Sequence, residues 1–255
     1  MSAPEVVVHP DADSLAQATA ARLLVRLLDL QSHRAPLHVV LTGGTVGIAV
    51  LRAVAGHPVR EAIDWSGVHV WWGDERFVPA GSPDRNERQA REALLDALPI
   101  PPENVHAVPA AGQVPDEAVA AAAYAEDLAS FADAPNPALD AEVPAVPAFD
   151  VLLLGVGPDG HVASLFPGHA TLAETAATVV AEADSPKPPP RRVSLTFPAI
   201  RAAREVWLVA AGEAKADAVA AALGGADVTQ TPAAGAYGTE RTLWLIDVAA
   251  TTSLP

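Results

Sequence analysis

The chain contains no cysteine, which excludes disulfides and thiolate metal sites and fits a reducing compartment. It is poor in positive charge: 16 lysines and arginines stand against 31 aspartates and glutamates, for a formal net charge of −15. Non-specific nucleic-acid binding draws its affinity from clustered cations, so no nucleic-acid partner is expected. No apolar run approaches the roughly 20 residues that span a bilayer, and MSAPEVVVHPDADSLAQ has neither a basic leader nor a long apolar stretch. These absences lead us to expect a cytoplasmic protein with no membrane partner. The eight histidines and the carboxylates show no H-E-x-x-H or other tight ligand spacing, so neither a metal nor a cofactor is expected. A small molecule remains as the partner. If it is an anion, a few of the basic residues must converge locally against the global field.

What is present alternates. Strand-like runs at 37–42, 68–75, 149–157, 206–212 and 242–248 are separated by helical stretches, including 14–33, the run closing at Gly56, 86–98, 116–133 and 213–223. That alternation predicts an α/β fold, Rossmann-like, with a mainly parallel sheet flanked by helices. The proline-rich segment 135–147 reads as a long surface loop inside one domain covering residues 1–255, and 183–192 as a similar loop. In open α/β sheets ligands bind beyond the carboxyl ends of the strands. The rule selects GGT at 43–45, GDER at 73–76 and GPDGH at 157–161.

Gly43, Gly44 and Thr45 join a strand to a helix, where close backbone approach and free N–H groups suit an anion, although the same pair also serves plain turns. The pattern is neither the dinucleotide fingerprint nor the P-loop. Asp74, Glu75 and Arg76 offer acid–base groups and a guanidinium fork, against the alternative of a solvated strand end with internal ion pairing. His161 follows an apolar strand and three glycines, and its ordinary pKa suits a general base, with Asp159 able to orient the ring. His169 is a weaker second candidate, since PGH also makes a capping turn. Lys187, Arg191, Arg192 and Lys215 complete the basic candidates. Lys215 stands in the first turn of its helix, where a cation opposes the dipole unless an anion is near.

Taken in order, TGGT, VWWGDERFVP, SPDRNERQARE, FDVLLLGVGPDGHVASLFPGH and RVSLTFPAI resemble the 6-phosphogluconolactonase family, from about residue 5 to about residue 248. The superfamily also holds glucosamine-6-phosphate deaminases, which typically continue I-A-F-N-E-P after DGH; here ASLFPGH follows, without that glutamate. The first loop also departs from the lactonase G-G-S-T-P form, carrying Thr45-Val46-Gly47. The resemblance implies a carboxylic-ester hydrolase acting on a phosphorylated sugar lactone. It would convert 6-phospho-D-glucono-1,5-lactone to 6-phospho-D-gluconate, the second step of the oxidative pentose phosphate pathway. By the same resemblance His161 is the base and Arg76 an active-site arginine. The phosphate would lie among Gly43–Thr45, Arg192 (Arg191 the alternative) and Lys215, with Asp74 a further substrate contact and Asn86 a support of the loop. Ser164 is not expected to be a nucleophile, because no G-x-S-x-G elbow is present. A deaminase-like enzyme and a non-catalytic sugar-phosphate binder are the alternatives, and a monomer or weak dimer is expected.

Overall fold

A computed structural model describes residues 3–132 and 145–255. Six parallel strands form the main sheet: β1 (Glu5–His9), β2 (Leu37–Leu41), β3 (Val68–Trp72), β5 (Val151–Gly155), β8 (Glu205–Ala210) and β9 (Arg241–Asp247). Their spatial order is β1-β9-β8-β5-β2-β3. The remaining strands, β4 (Asp74–Arg76), β6 (Val179–Glu182) and β7 (Arg192–Leu195), make a small antiparallel sheet in the order β4-β7-β6. The result is the α/β, mainly parallel arrangement that the alternation predicts.

The central strands are buried on both faces, as parallel strands between helical layers must be. Their period of two divides the core. Val40, Leu152, Leu154, Val206, Leu208, Trp244 and Ile246 point to one face, with α4 (Glu117–Ser130), α5 (Phe197–Arg201) and α6 (Ala216–Leu223). Val39, Leu41, Val151, Leu153, Trp207, Val209, Leu243 and Leu245 point to the other, with α1 (Ala12–Gln31), α2 (Gly44–Gly56) and α3 (Asn86–Ala93). Asp11 and Asp116 start α1 and α4 by accepting from Ser14 N at 2.7 Å and Val119 N at 2.9 Å.

Four readings of the sequence change. The apolar run 68–75 is not one strand: β3 ends at Trp72, and after Gly73 the chain pairs with β7 instead of β2. Gly73 is the seam, since its N–H donates to Leu41 O at 3.1 Å while its carbonyl accepts from Leu195 N at 2.9 Å. The helix read at 86–98 stops at Ala93, and Leu95–Ala97 form a separate tight turn that buries Leu95. The helix read to 133 ends at Ser130, while residues 135–144 of the proline-rich loop lie outside the described residues. Strands β1 and β6 have no counterpart in the sequence reading. Among the described residues no helix is long and apolar enough to cross a membrane.

Strand order reverses between β2 and β5, which is where an open α/β sheet leaves a crevice. The turns that follow β2, β5, β8 and β9 all open there.

Candidate active site

A cleft of about 750 Å³ occupies that position, lined by the turns after β2, β5 and β8 and by β4 and β7. Gly43, Gly44, Thr45, Asp74, Arg76, His161, Arg192 and Lys215 all line it, so the segments picked from the sequence do converge.

Gly43 caps α2 and Gly44 adopts φ +77, so the helix begins at the cleft with no side-chain hydrogen bond capping its first turn. The glycine at 43 is demanded by a neighbour: a Cβ there would stand 2.0 Å from Asn86 Oδ1. Asn86 in turn donates from Nδ2 to Asp74 O at 2.8 Å, tying the glycine loop to the Gly73 seam.

The three charged residues of GDER divide their tasks. Glu75 is buried and accepts from the N–H groups of Arg76, Asn86 and Glu87 at 2.8, 2.7 and 2.8 Å. It thereby caps α3, whose own N-cap residue Arg85 supplies no side-chain bond. Burial pushes its carboxyl up, against the Arg85 guanidinium and these N–H donors. Asp74 accepts from Ser164 Oγ at 2.7 Å and lies 3.8 Å from Arg192 Nη1. That bond occupies the Ser164 hydroxyl. Arg76 donates from Nη1 to Asp84 O at 2.6 Å, while its Nε is buried with no partner among the described residues.

Arg192 sits directly opposite Arg76 across β4 and β7. Burial lowers its proton affinity and Arg76 adds to that, while Asp74 opposes. Its guanidinium donates to Pro189 O at 2.6 Å and Lys187 O at 2.9 Å, so it also holds the proline loop. The choice between the neighbouring arginines is clear in geometry: Arg191 pairs with Glu117 and lies over the Phe77 ring, 5.1 Å from its centre, whereas Arg192 lines the cleft.

The DGH turn presents His161 with Nδ1 2.5 Å from Asp159 Oδ1. Gly157 makes room, since a Cβ there would stand 2.0 Å from that Nδ1. Burial by itself would raise the Asp159 carboxyl, but the His161 hydrogen bond and the Lys187 ammonium hold it well below the usual carboxylate range. An ionised carboxylate favours the tautomer with the ring proton on Nδ1 and the lone pair on Nε2. Phe166 packs 4.6 Å from the imidazole, ring centre to ring centre. His169 is elsewhere: its Nδ1 lies 2.9 Å from Glu182 Oε2, and it does not line the cleft.

Lys215 precedes α6 at the cleft wall, where burial lowers its proton affinity and Lys187 reinforces that, with Asp159 opposing. Sequence reasoning named Lys187 as a basic residue but gave it no place in the site. Its Nζ lies 3.3 Å from Asp159 Oδ1 and 3.2 Å from His161 Nδ1. A signal did exist. Of the 16 basic residues only Lys187 and Lys215 are lysines, and both line this cleft.

Four cations lining one cleft in an acidic chain, with an Asp–His pair beside them, mark an α/β protein whose cleft suits a small anion. The chain belongs to the family described as glucosamine-6-phosphate isomerases/6-phosphogluconolactonase, which matches residues 10–244. It is 57% identical to the 6-phosphogluconolactonase of Streptomyces coelicolor over 255 residues, covering 99% of this chain and 95% of that one. It is 47% identical to the 6-phosphogluconolactonase of Mycobacterium tuberculosis over 252 residues, 98% of each chain. Among solved structures, the 6-phosphogluconolactonase of Trypanosoma brucei superposes with a TM-score of 0.82 at 29% identity, covering 99% of both chains. A monomeric glucosamine-6-phosphate deaminase shares the fold, with a TM-score of 0.77 at 17% identity and coverage of 98% of this chain and 99% of that one.

Proposed function

We propose that the chain hydrolyses 6-phospho-D-glucono-1,5-lactone to 6-phospho-D-gluconate, the lactone-opening step of the oxidative pentose phosphate pathway, with His161 as general base. The observation that carries this reading is the Asp159–His161 pair at 2.5 Å on the rim of a cation-lined cleft. Water attacks C1 of the lactone as His161 Nε2 takes its proton. The carbonyl oxygen becomes an oxyanion, and collapse breaks the bond from C1 to the ring oxygen, which leaves with the proton returned by the imidazolium. Lactone plus water thus gives the hydroxy acid without a covalent enzyme intermediate. A δ-lactone opens slowly in water unaided, so a positioned base and nearby positive charge are sufficient help.

Gly43, Gly44, Thr45, Arg192 and Lys215 are our candidates for the phosphate, with Arg76 near the developing negative charge and Asp74 fixing the seam between them. Against the deaminase-like alternative, this chain lacks the glutamate after DGH: its place is taken by Phe166, which packs on the His161 ring. We read residues 1–255 as one cytoplasmic domain, monomeric or weakly dimeric. Pairing of β1 with β9, from opposite ends of the chain, supports the single unit, and the absence of cysteine supports the compartment. The deciding experiment is a pH-stat or coupled assay on freshly made 6-phosphoglucono-δ-lactone beside the unphosphorylated lactone. Rapid hydrolysis of the first and poor hydrolysis of the second is expected. No acceleration of either would overturn the proposal.

A further inference from the structure

His161 and Lys187 converge on one oxygen. Asp159 Oδ1 lies 2.5 Å from His161 Nδ1 and 3.3 Å from Lys187 Nζ, while the two nitrogens are themselves 3.2 Å apart. A carboxylate oxygen has lone pairs for two donors, so Nδ1–H and the ammonium share it side by side. The lysine is held at its backbone from several directions. Its N–H donates to Ser185 Oγ at 3.2 Å, and its carbonyl accepts from Ser185 Oγ at 3.0 Å and from buried Arg192 Nη2 at 2.9 Å. Ser185 N also donates to Pro190 O at 3.0 Å, closing the loop over the Pro188–Pro190 run.

The electrostatic consequence follows from this sharing. A lone carboxylate beside an imidazole favours the imidazolium, which has no lone pair left to accept a proton from water. A cation on the same oxygen offsets that pull. The other charged groups around the cleft are Lys215 before α6, Arg76 on β4, Arg192 on β7, and the carboxylates Asp74 on β4, Asp13 on α1 and Asp247 at the end of β9. Of all these, only Asp159 and Lys187 lie within hydrogen-bond distance of the imidazole among the described residues, the carboxylate as acceptor of Nδ1–H and the ammonium as the second donor to the same oxygen.

We propose that Lys187 is a positioning residue for the hydrolysis: its ammonium shares Asp159 Oδ1 with the imidazole and offsets the carboxylate's pull toward the imidazolium, leaving the ring free to take a proton from water. The inference rests on the general-base reading of His161. A lysine that merely tied the proline loop to the DGH turn would scale activity equally at every pH. Charge compensation moves the acid limb instead.

The test compares wild type with Lys187→Met and Lys187→Arg, using two readouts from about pH 5 to pH 8. One is the NMR titration of the His161 ring in the free protein, and the other is kcat/KM for the phosphorylated lactone. In Lys187→Met the ring's titration midpoint and the acid limb should both move up by about half a unit to one unit, the smaller end reflecting solvent screening of a side chain that is 39% exposed. Activity near the acid end should then fall roughly threefold to tenfold further than activity on the neutral plateau. Lys187→Arg, which keeps the charge, should restore most of the wild-type profile. An unmoved ring midpoint in a folded Lys187→Met protein overturns the inference whatever the activity does. A midpoint that rises while the acid limb stays fixed removes His161 as the base, and the inference falls with it.

Discussion

The same sheet carries histidines at both of its ends, and the two groups sit in opposite surroundings. At the carboxyl ends His161 stands on a glycine turn, open to the cleft, with a carboxylate and an ammonium beside it. Toward the amino ends of β2 and β3, His38 and His69 meet at 4.9 Å with their rings tilted by 31°, and His106 lies flat on Trp71 at 3.7 Å. His106 Nδ1 points to Asp127 Oδ2 at 3.0 Å, which leaves its Nε2 to accept from His69 Nδ1 at 2.9 Å, and Trp71 Nε1 donates to His38 Nδ1 at 3.1 Å. Burial, reinforced by His69 and His106, depresses His38 to about 4. Burial also lowers His69, with His106 adding and Asp127 opposing. One imidazole type thus serves two purposes. Beside a carboxylate and next to solvent it faces substrate; buried among rings with no carboxylate at its nitrogens, as His38 is, it resists protonation and supports the fold.

The most severe test of that contrast is His161→Ala. It should lower kcat by about two to four orders of magnitude with the unfolding transition nearly unchanged, because a positioned base contributes that much. A folded variant with near-wild-type turnover would return His161 to the structural class occupied by the stack.

The stack should reveal itself in acid rather than in turnover. The unfolded chain protonates His38 near its ordinary 6.5, whereas the native ring does so only near 4. Between those values the unfolded state binds the extra proton, so stability falls as pH drops through this window and levels off below it. The loss expected from His38 is about 3 kcal/mol at 1.36 kcal/mol per unit. Denaturant midpoints across the window measure it. His38→Gln, which keeps an acceptor for Trp71, should flatten the dependence, and an equally steep dependence in that variant would assign it to other groups.

Within the cleft, Lys215→Ala should weaken binding of the phosphorylated lactone roughly tenfold to hundredfold while sparing the unphosphorylated one, as expected for loss of one charge-assisted contact. Competition by 6-phosphogluconate reads the same effect, and raised salt should blunt it in wild type. Equal losses on both lactones would dissolve the proposed phosphate site. Arg192→Ala is the less selective probe, because that side chain also holds Pro189 and Lys187. The smallest effect is expected of Arg76→Lys: charge is kept and the planar fork is lost, so kcat/KM should fall by about threefold to tenfold. An unchanged value would make Arg76 a tether for the Asp84 carbonyl alone.

How much of this was legible beforehand depends on the range of the interaction involved. Strand and helix alternation, the doubly buried central strands and the three polar segments at strand ends are local patterns, and they led to the fold and to most of the cleft. The family resemblance rests on the same contiguous motifs. What the sequence concealed is written between distant positions. β1 is a five-residue run whose partner β9 lies at the other end of the chain, and β4 separates from β3 only because Gly73 changes hydrogen-bonding neighbours.

Side-chain roles divide along the same line. From sequence, Glu75 looked like an acid–base candidate; folding buries it under the N–H groups of Asn86 and Glu87, where it caps a helix. Asp159 and Lys187 are 28 positions apart along the chain, and His38, His69 and His106 lie on separate segments. The sequence by itself determined which groups could donate, accept or carry charge, since that is a property of each side chain. Tertiary packing alone decided which of them meet and how dry their surroundings are, because hydrogen bonds and proton affinities depend on separations of a few ångströms that chain order does not encode.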